Sequence, residues 1–176
     1  MKISKYFLVV ILLIFIIGCT KPKLEDLITI PDGYYLTVEN NPEKNSELKA
    51  KWLAEDVAYV VYEPEFRKNA RNILTISRYS KQDYSSWLDR YLGNRIVELG
   101  NKSLTIECNF SSINEKNIQI CQTTGKNYSI HRYTFGLADT IIVRVLCLET
   151  NAELSNKHCR DLTQAIIKRA AELKLN

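Results

Sequence analysis

Six glycines in 176 residues leave this sequence without material for a backbone phosphate cradle, because such loops set several glycines close together. Histidine is scarcer still, with His131 and His158 the only two. No His-Glu-x-x-His, Gly-x-Ser-x-Gly or EF-hand pattern occurs, so the familiar signatures of zinc peptidases, α/β-hydrolases and calcium loops are missing. An excess of one charge is missing too. There are 24 lysines and arginines against 20 aspartates and glutamates, a formal net charge of +4. Lys2 and Lys5 precede the first apolar run, so the remainder carries only about +2. Nucleic acid, which needs a concentrated basic face, is therefore not an expected partner. Nor does any apolar run reach the roughly 20 residues that span a bilayer. The longest, residues 6–17, has twelve.

That short run is the most informative feature present. Lys2 and Lys5, then Tyr6 to Ile17, then Gly18 form the charged and apolar regions of a secretory signal. Polar sequence, Thr-Lys-Pro-Lys, follows Cys19 at once. Ile16-Ile17-Gly18-Cys19 resembles the bacterial lipobox, matching at Gly-Cys and carrying isoleucine at both preceding positions. The resemblance implies lipidation of Cys19, cleavage before it, and acylation of the new amino group. Several acyl chains hold a protein on a membrane far better than one, since each buried CH2 contributes about 0.8 kcal/mol. The implied location is the periplasm-facing cell envelope. Thr20 rather than aspartate after the cysteine implies, by the same resemblance, the outer membrane over the inner.

Setting Cys19 aside leaves Cys108, Cys121, Cys147 and Cys159. An even remainder in an exported chain reads as a disulfide framework. Zinc sites space paired cysteines two to four residues apart, unlike these, so no metal is expected. Three connectivities are open. The expected one joins Cys108 to Cys121 across a hairpin and Cys147 to Cys159 at a strand–helix junction. Facing Phe110 with Ile118 would set Cys108 opposite Ile120, so the first pair requires a bulge or a one-residue shift.

Three segments are expected: a signal peptide at 1–18, a lipid-anchored tether at 19–32, and a single domain at 33–176. "DGYYLTVE" reads as turn then strand, "NNPEKNSELK" as a loop, and "WLAEDVAYVVYEP" as helix passing into strand. "RNILTISRYS" is a strand. Ser80-Lys-Gln-Asp83 then has the shape of a capping box, and Tyr84, Trp87, Leu88, Tyr91 and Leu92 make one helical stripe ended by Gly93. "SLTIECNF", "NIQICQTT", "YSIHRYTFG" and "TIIVRVLCLE" form an antiparallel meander. Cys159, Leu162, Ile166, Ala170 and Leu173 give a last helix one apolar face. The fold class is α+β: an antiparallel sheet of about five to seven strands with two or three helices against it. The order from residue 72 to 173, "RNILTISRYS" into "DYSSWLDRYL", meander and terminal helix, resembles the PsbP/DcrB-like group of envelope and lumenal proteins. That resemblance implies the layered fold and assigns no functional residue.

No catalytic set emerges, and with the cysteines paired no thiolate nucleophile remains. His131 has no acidic neighbour and reads as a surface residue; His158 reads as a solvated helix residue. Glu55-Asp56 and Glu63/Glu65 read as surface charge. Ten tyrosines are the one compositional bias. Tyr34, Tyr35, Tyr59, Tyr62, Tyr79, Tyr128 and Tyr133 are too many to bury in so small a domain. Tyrosine joins apolar area to a polar tip and suits protein recognition, so Tyr128, His131 and Tyr133 are the expected partner surface. The expected protein is a non-enzymatic envelope lipoprotein without cofactor, anchored in the membrane through its lipid. It would bind another envelope protein, or a delivered toxin as an immunity protein. The alternatives are a carrier for a small apolar ligand and an enzyme acting on envelope polymers.

Overall fold

Alternating apolar side chains build most of the molecule. The computed structural model describes residues 22–38, 41–65, 70–99 and 102–175. The expected signal peptide and the expected lipidation site, Cys19, lie outside the described residues. Strands β1 (Tyr34–Val38), β2 (Asp56–Pro64), β3 (Arg71–Arg78), β6 (Glu107–Ile113), β7 (Lys116–Gly125), β8 (Tyr128–Leu137) and β9 (Ile141–Glu149) form one sheet. Its order is β1-β2-β3-β9-β8-β7-β6, antiparallel throughout. Strands β4 (Ile96–Leu99) and β5 (Lys102–Thr105) pair as a separate hairpin. The α+β class and seven strands agree with the sequence reading. "SLTIECNF" is not one strand, however: it passes from the hairpin into the main sheet at Ile106, whose buried side chain pins the crossing.

Three helices cover the sheet. Helix α3 (Ala152–Glu172) lies on one face and buries Cys159, Leu162, Ile166 and Ala170 against Leu74, Val143, Val145 and Phe135. Asn151 caps it, accepting a bond from the Leu154 backbone amide at 3.0 Å. Helix α2 (Lys81–Gly93) lies on the opposite face, with Ser80 capping Asp83 N–H at 3.1 Å. Its stripe packs as a structural face: Trp87 stacks on Tyr79 at 5.4 Å, and the Tyr79 and Tyr91 hydroxyls meet at 2.8 Å. Gly136 permits that approach, because a Cβ there would sit 1.8 Å from the Tyr84 hydroxyl.

Helix α1 (Pro42–Trp52) replaces the loop expected at "NNPEKNSELK". Asn41 accepts from Glu43 N–H at 2.9 Å and Lys44 N–H at 3.1 Å, and Pro42 supplies the preset φ of a first helical residue. Leu48 is its only buried side chain, so the segment has no apolar stripe to announce it.

The N-terminal segment also differs from expectation. Leu24–Leu27 forms one 3-10 turn, and Leu24 and Leu27 are both fully buried in the α3-side core. Among the described residues, packing into the core therefore reaches back to Leu24, ahead of residue 33. Arg169 Nε holds the Asp26 carbonyl at 2.9 Å and the Tyr62 hydroxyl holds the Thr29 carbonyl at 3.1 Å.

Candidate functional site

Both expected disulfides are present, Cys108–Cys121 and Cys147–Cys159. The one-residue shift is how the first forms. A two-residue turn at Asn114-Glu115, both with positive φ, sets Phe110 opposite Gln119 and Cys108 opposite Cys121. The first disulfide joins edge strand β6 to β7; the second joins central strand β9 to α3.

The expected partner surface does not exist as a surface. His131 is 3% exposed and Tyr133 is fully buried, while Tyr128 is half-buried over Gly125. Strand alternation turns His131 and Tyr133 toward α3. His131 Nδ1 lies 3.0 Å from Ser155 Oγ and Nε2 lies 3.2 Å from the Gln122 side chain. Ser155 also donates to the Cys147 carbonyl at 2.8 Å. His158, expected in solvent, is also buried. Its Nδ1 is 2.5 Å from the Tyr34 hydroxyl and its Nε2 is 3.7 Å from Glu149. Tyr34, Tyr62 and Tyr79 are buried as well, leaving Tyr35 as the exposed member of the tyrosine set. Capacity was misjudged because a sheet covered on both faces buries alternate residues of both parities.

Burial lowers the pKa of His131. An unfolded histidine takes a proton near pH 6.5, so below that pH the unfolded chain binds a proton that the fold refuses. Stability should therefore fall as pH drops below about 6.5, by up to about 1.4 kcal/mol per pH unit from this group. His131→Gln should flatten that part of the profile in urea melts at pH 7 and pH 5.5. An unchanged slope would show that His131 protonates freely in the fold.

The open feature lies on the other face. Register places Tyr59, Thr75 and Arg144 in one cross-sheet row, and Ile73, Leu146 and Arg132 in the next. These rows floor a cavity of about 390 Å³, walled by α1 through Trp52 and by strand β4. Cavities of about 260 and 690 Å³ adjoin it and share Glu98 and Ile73, Tyr59 or Trp52 with it, making one groove open to solvent. The size suits ligand binding.

Arg144 is clamped in this groove. Its guanidinium carbon is 4.2 Å from the centre of the Trp52 ring and 4.2 Å from that of Tyr91, a double cation–π contact. Arg132 is 6% exposed; it donates to the Asn94 carbonyl, and its Nε has no hydrogen-bond partner. Burial, followed by the charges of Arg144 and Arg95, pulls the Arg132 pKa down to about 10. Among the described residues neither arginine is ion-paired. Neither arginine belongs to the expected partner surface of Tyr128, His131 and Tyr133. The available signal was an arginine inside each of two long strands, "YSIHRYTFG" and "TIIVRVLCLE", where a charge on a covered face is rarely idle.

Among the described residues no group of three or more histidine, cysteine or carboxylate side chains is placed to hold a metal ion. Fold and site together define a three-layer α+β domain, stapled by two disulfides, with an arginine-floored groove on one face. No family model matches the chain, and no curated protein matches it. Among solved structures it is similar to the extracellular domain of PknH from Mycobacterium tuberculosis. The TM-score is 0.42 and the identity 10%, over 80% of this chain and 82% of that one.

Proposed function

We propose that this protein is a lipid-anchored domain of the bacterial cell envelope that acts by binding a partner protein rather than by catalysis. The distribution of side chains carries the reading. Both histidines, the natural proton carriers, point into the α3-side core with their ring nitrogens engaged. The solvent-open groove instead presents arginine, tryptophan and tyrosine, the residue types that concentrate binding energy at interfaces. Two disulfides support an oxidising compartment, in keeping with the leader and the lipobox-like site. Lipidation at Cys19 would leave four residues before Leu24, which is packed in the core. The domain would then sit within about 17 Å of the membrane, a short reach that favours a partner in or at the same bilayer. The finer form of the proposal is an immunity protein that intercepts a toxin delivered to the envelope.

Intact mass of membrane-extracted protein should show a chain starting at Cys19 with acyl groups attached. Cys19→Ala should abolish both the acylation and, for the immunity form, protection of cells co-expressing the toxin in the envelope. An uncleaved, unmodified chain would refute the anchoring, and equal protection by Cys19→Ala would refute the need for it.

A further inference from the structure

Across the three adjoining cavities the walls carry six cationic side chains, Lys44, Lys51, Arg71, Arg90, Arg132 and Arg144, of which Lys44 is paired with Glu47, and one carboxylate, Glu98. The chain as a whole is close to neutral, so this is a local concentration of positive charge. Arg132 and Arg144 are its centre. They are diagonal neighbours on β8 and β9, since Arg132 faces Leu146 and Arg144 faces Thr134, within interaction range for long side chains. Like charges at that range and out of water repel, and among the described residues no carboxylate pairs with either. Arg144 is restrained by cation–π contacts to two aromatic rings, Trp52 and Tyr91. Arg132 cannot escape to solvent because it is buried.

We propose that the groove seats an acidic segment of a partner protein, with one carboxylate lodged between Arg132 and Arg144. The inference rests on the protein-binding reading above and names the chemistry of the partner. A carboxylate would accept from the edge of the clamped Arg144 fork, where guanidinium and carboxylate match in shape as well as charge, and would be drawn further by the adjacent Arg132 charge. The neighbouring cavities argue for a segment over a lone ion. Ile73, Leu146 and Ile96 give apolar contact beside the arginines, and exposed Lys51, Arg71 and Arg90 extend the positive potential along the rim. An alternating acidic and apolar strand would fit both.

The protein supplies its own reporter, because its two tryptophans, Trp52 and Trp87, both line the groove. Full-length protein in detergent micelles would be titrated with end-blocked Glu-Leu-Glu-Leu-Glu, its lysine counterpart, and sodium phosphate, following tryptophan emission. The acidic peptide should give a saturable change, with the lysine peptide giving none. Arg132→Gln and Arg144→Gln should each weaken binding about tenfold or more, and Arg144→Lys should not restore it. The exposed rim pair Lys51→Glu plus Arg71→Glu should weaken binding and flatten its salt dependence. That pair keeps the test decisive should a buried arginine variant fail to fold. No response, an equal response to the lysine peptide, or saturable binding of phosphate without the acidic peptide would overturn the proposal. Binding of a defined envelope partner at a different face, with the groove variants unaffected, would sink the groove assignment alone; no envelope partner at all would sink the binding reading.

Discussion

Replacing Leu24 and Leu27 together with alanine should destabilise the domain by about 5 kcal/mol, while Ile30→Ala in the same segment should change stability by about 0.5 kcal/mol or less. Both leucines are fully buried in the α3-side core, whereas Ile30 is 53% exposed. A buried leucine cut to alanine typically costs roughly 2–5 kcal/mol through lost transfer energy and a residual cavity. The two sites share one short turn, so the sum falls short of full additivity. A domain of this size has about 5–15 kcal/mol in total, which brings the double variant close to unfolding. Guanidinium melts of the wild type and the two variants, three proteins in all, read this directly. Equal midpoints for all three would mean that the N-terminal turn is dispensable, and that the tether is as long as the sequence reading made it. The result bears on function because this turn sets how near the groove sits to any lipid anchor.

That turn also shows where sequence reasoning stops. Leu24 and Leu27 stand three apart with Glu25 and Asp26 between them, and one 3-10 turn is too short to establish any period. Helix α1 was hidden for a related reason: it floats over the sheet on Leu48 and declares itself only through the Asn41-Pro42 cap. By contrast, α2 and α3 bury continuous stripes, and the long strands carry β-branched and aromatic residues bounded by turns, so both were legible. Disulfide pairing was legible once Cys19 was set apart, because the hairpin turn places Cys108 and Cys121 at equal distances from Asn114-Glu115. The groove was not. It depends on Arg132 and Arg144 from adjacent strands and on Trp52 from α1 and Tyr91 from α2, and the local trace of that convergence is no more than an arginine inside each of two strands. The histidines failed differently, since polarity alone placed them outside although hydrogen bonds to Ser155 and Tyr34 allow them inside.

Removal of the Cys147–Cys159 disulfide is the second large effect. The residues are 12 apart in sequence, and closing such a loop stabilises by about 3 kcal/mol in the chain-entropy model. Cys108 and Cys121 are 13 apart, so that model assigns the two bridges nearly the same value. Their places in the fold separate them. Strand β6 is an edge paired only with β7, and its side chains are mostly exposed. Without its bridge it can open alone, as a low-energy local event. Strand β9 lies between β3 and β8 and beneath α3, where both Cys147 and Cys159 are fully buried. Losing that bridge cannot be relieved by fraying one edge. Cys147→Ala plus Cys159→Ala should therefore lower amide protection across α3, β8 and β9 together, in step with a global loss of about 3 kcal/mol. Cys108→Ala plus Cys121→Ala should lower it most in β6, with α3 retaining more of its protection. Hydrogen exchange on the two double variants distinguishes the cases, and identical patterns would show that the sheet edge and centre unfold as one unit. Reduction of the native protein should then weaken α3 and the central strands together.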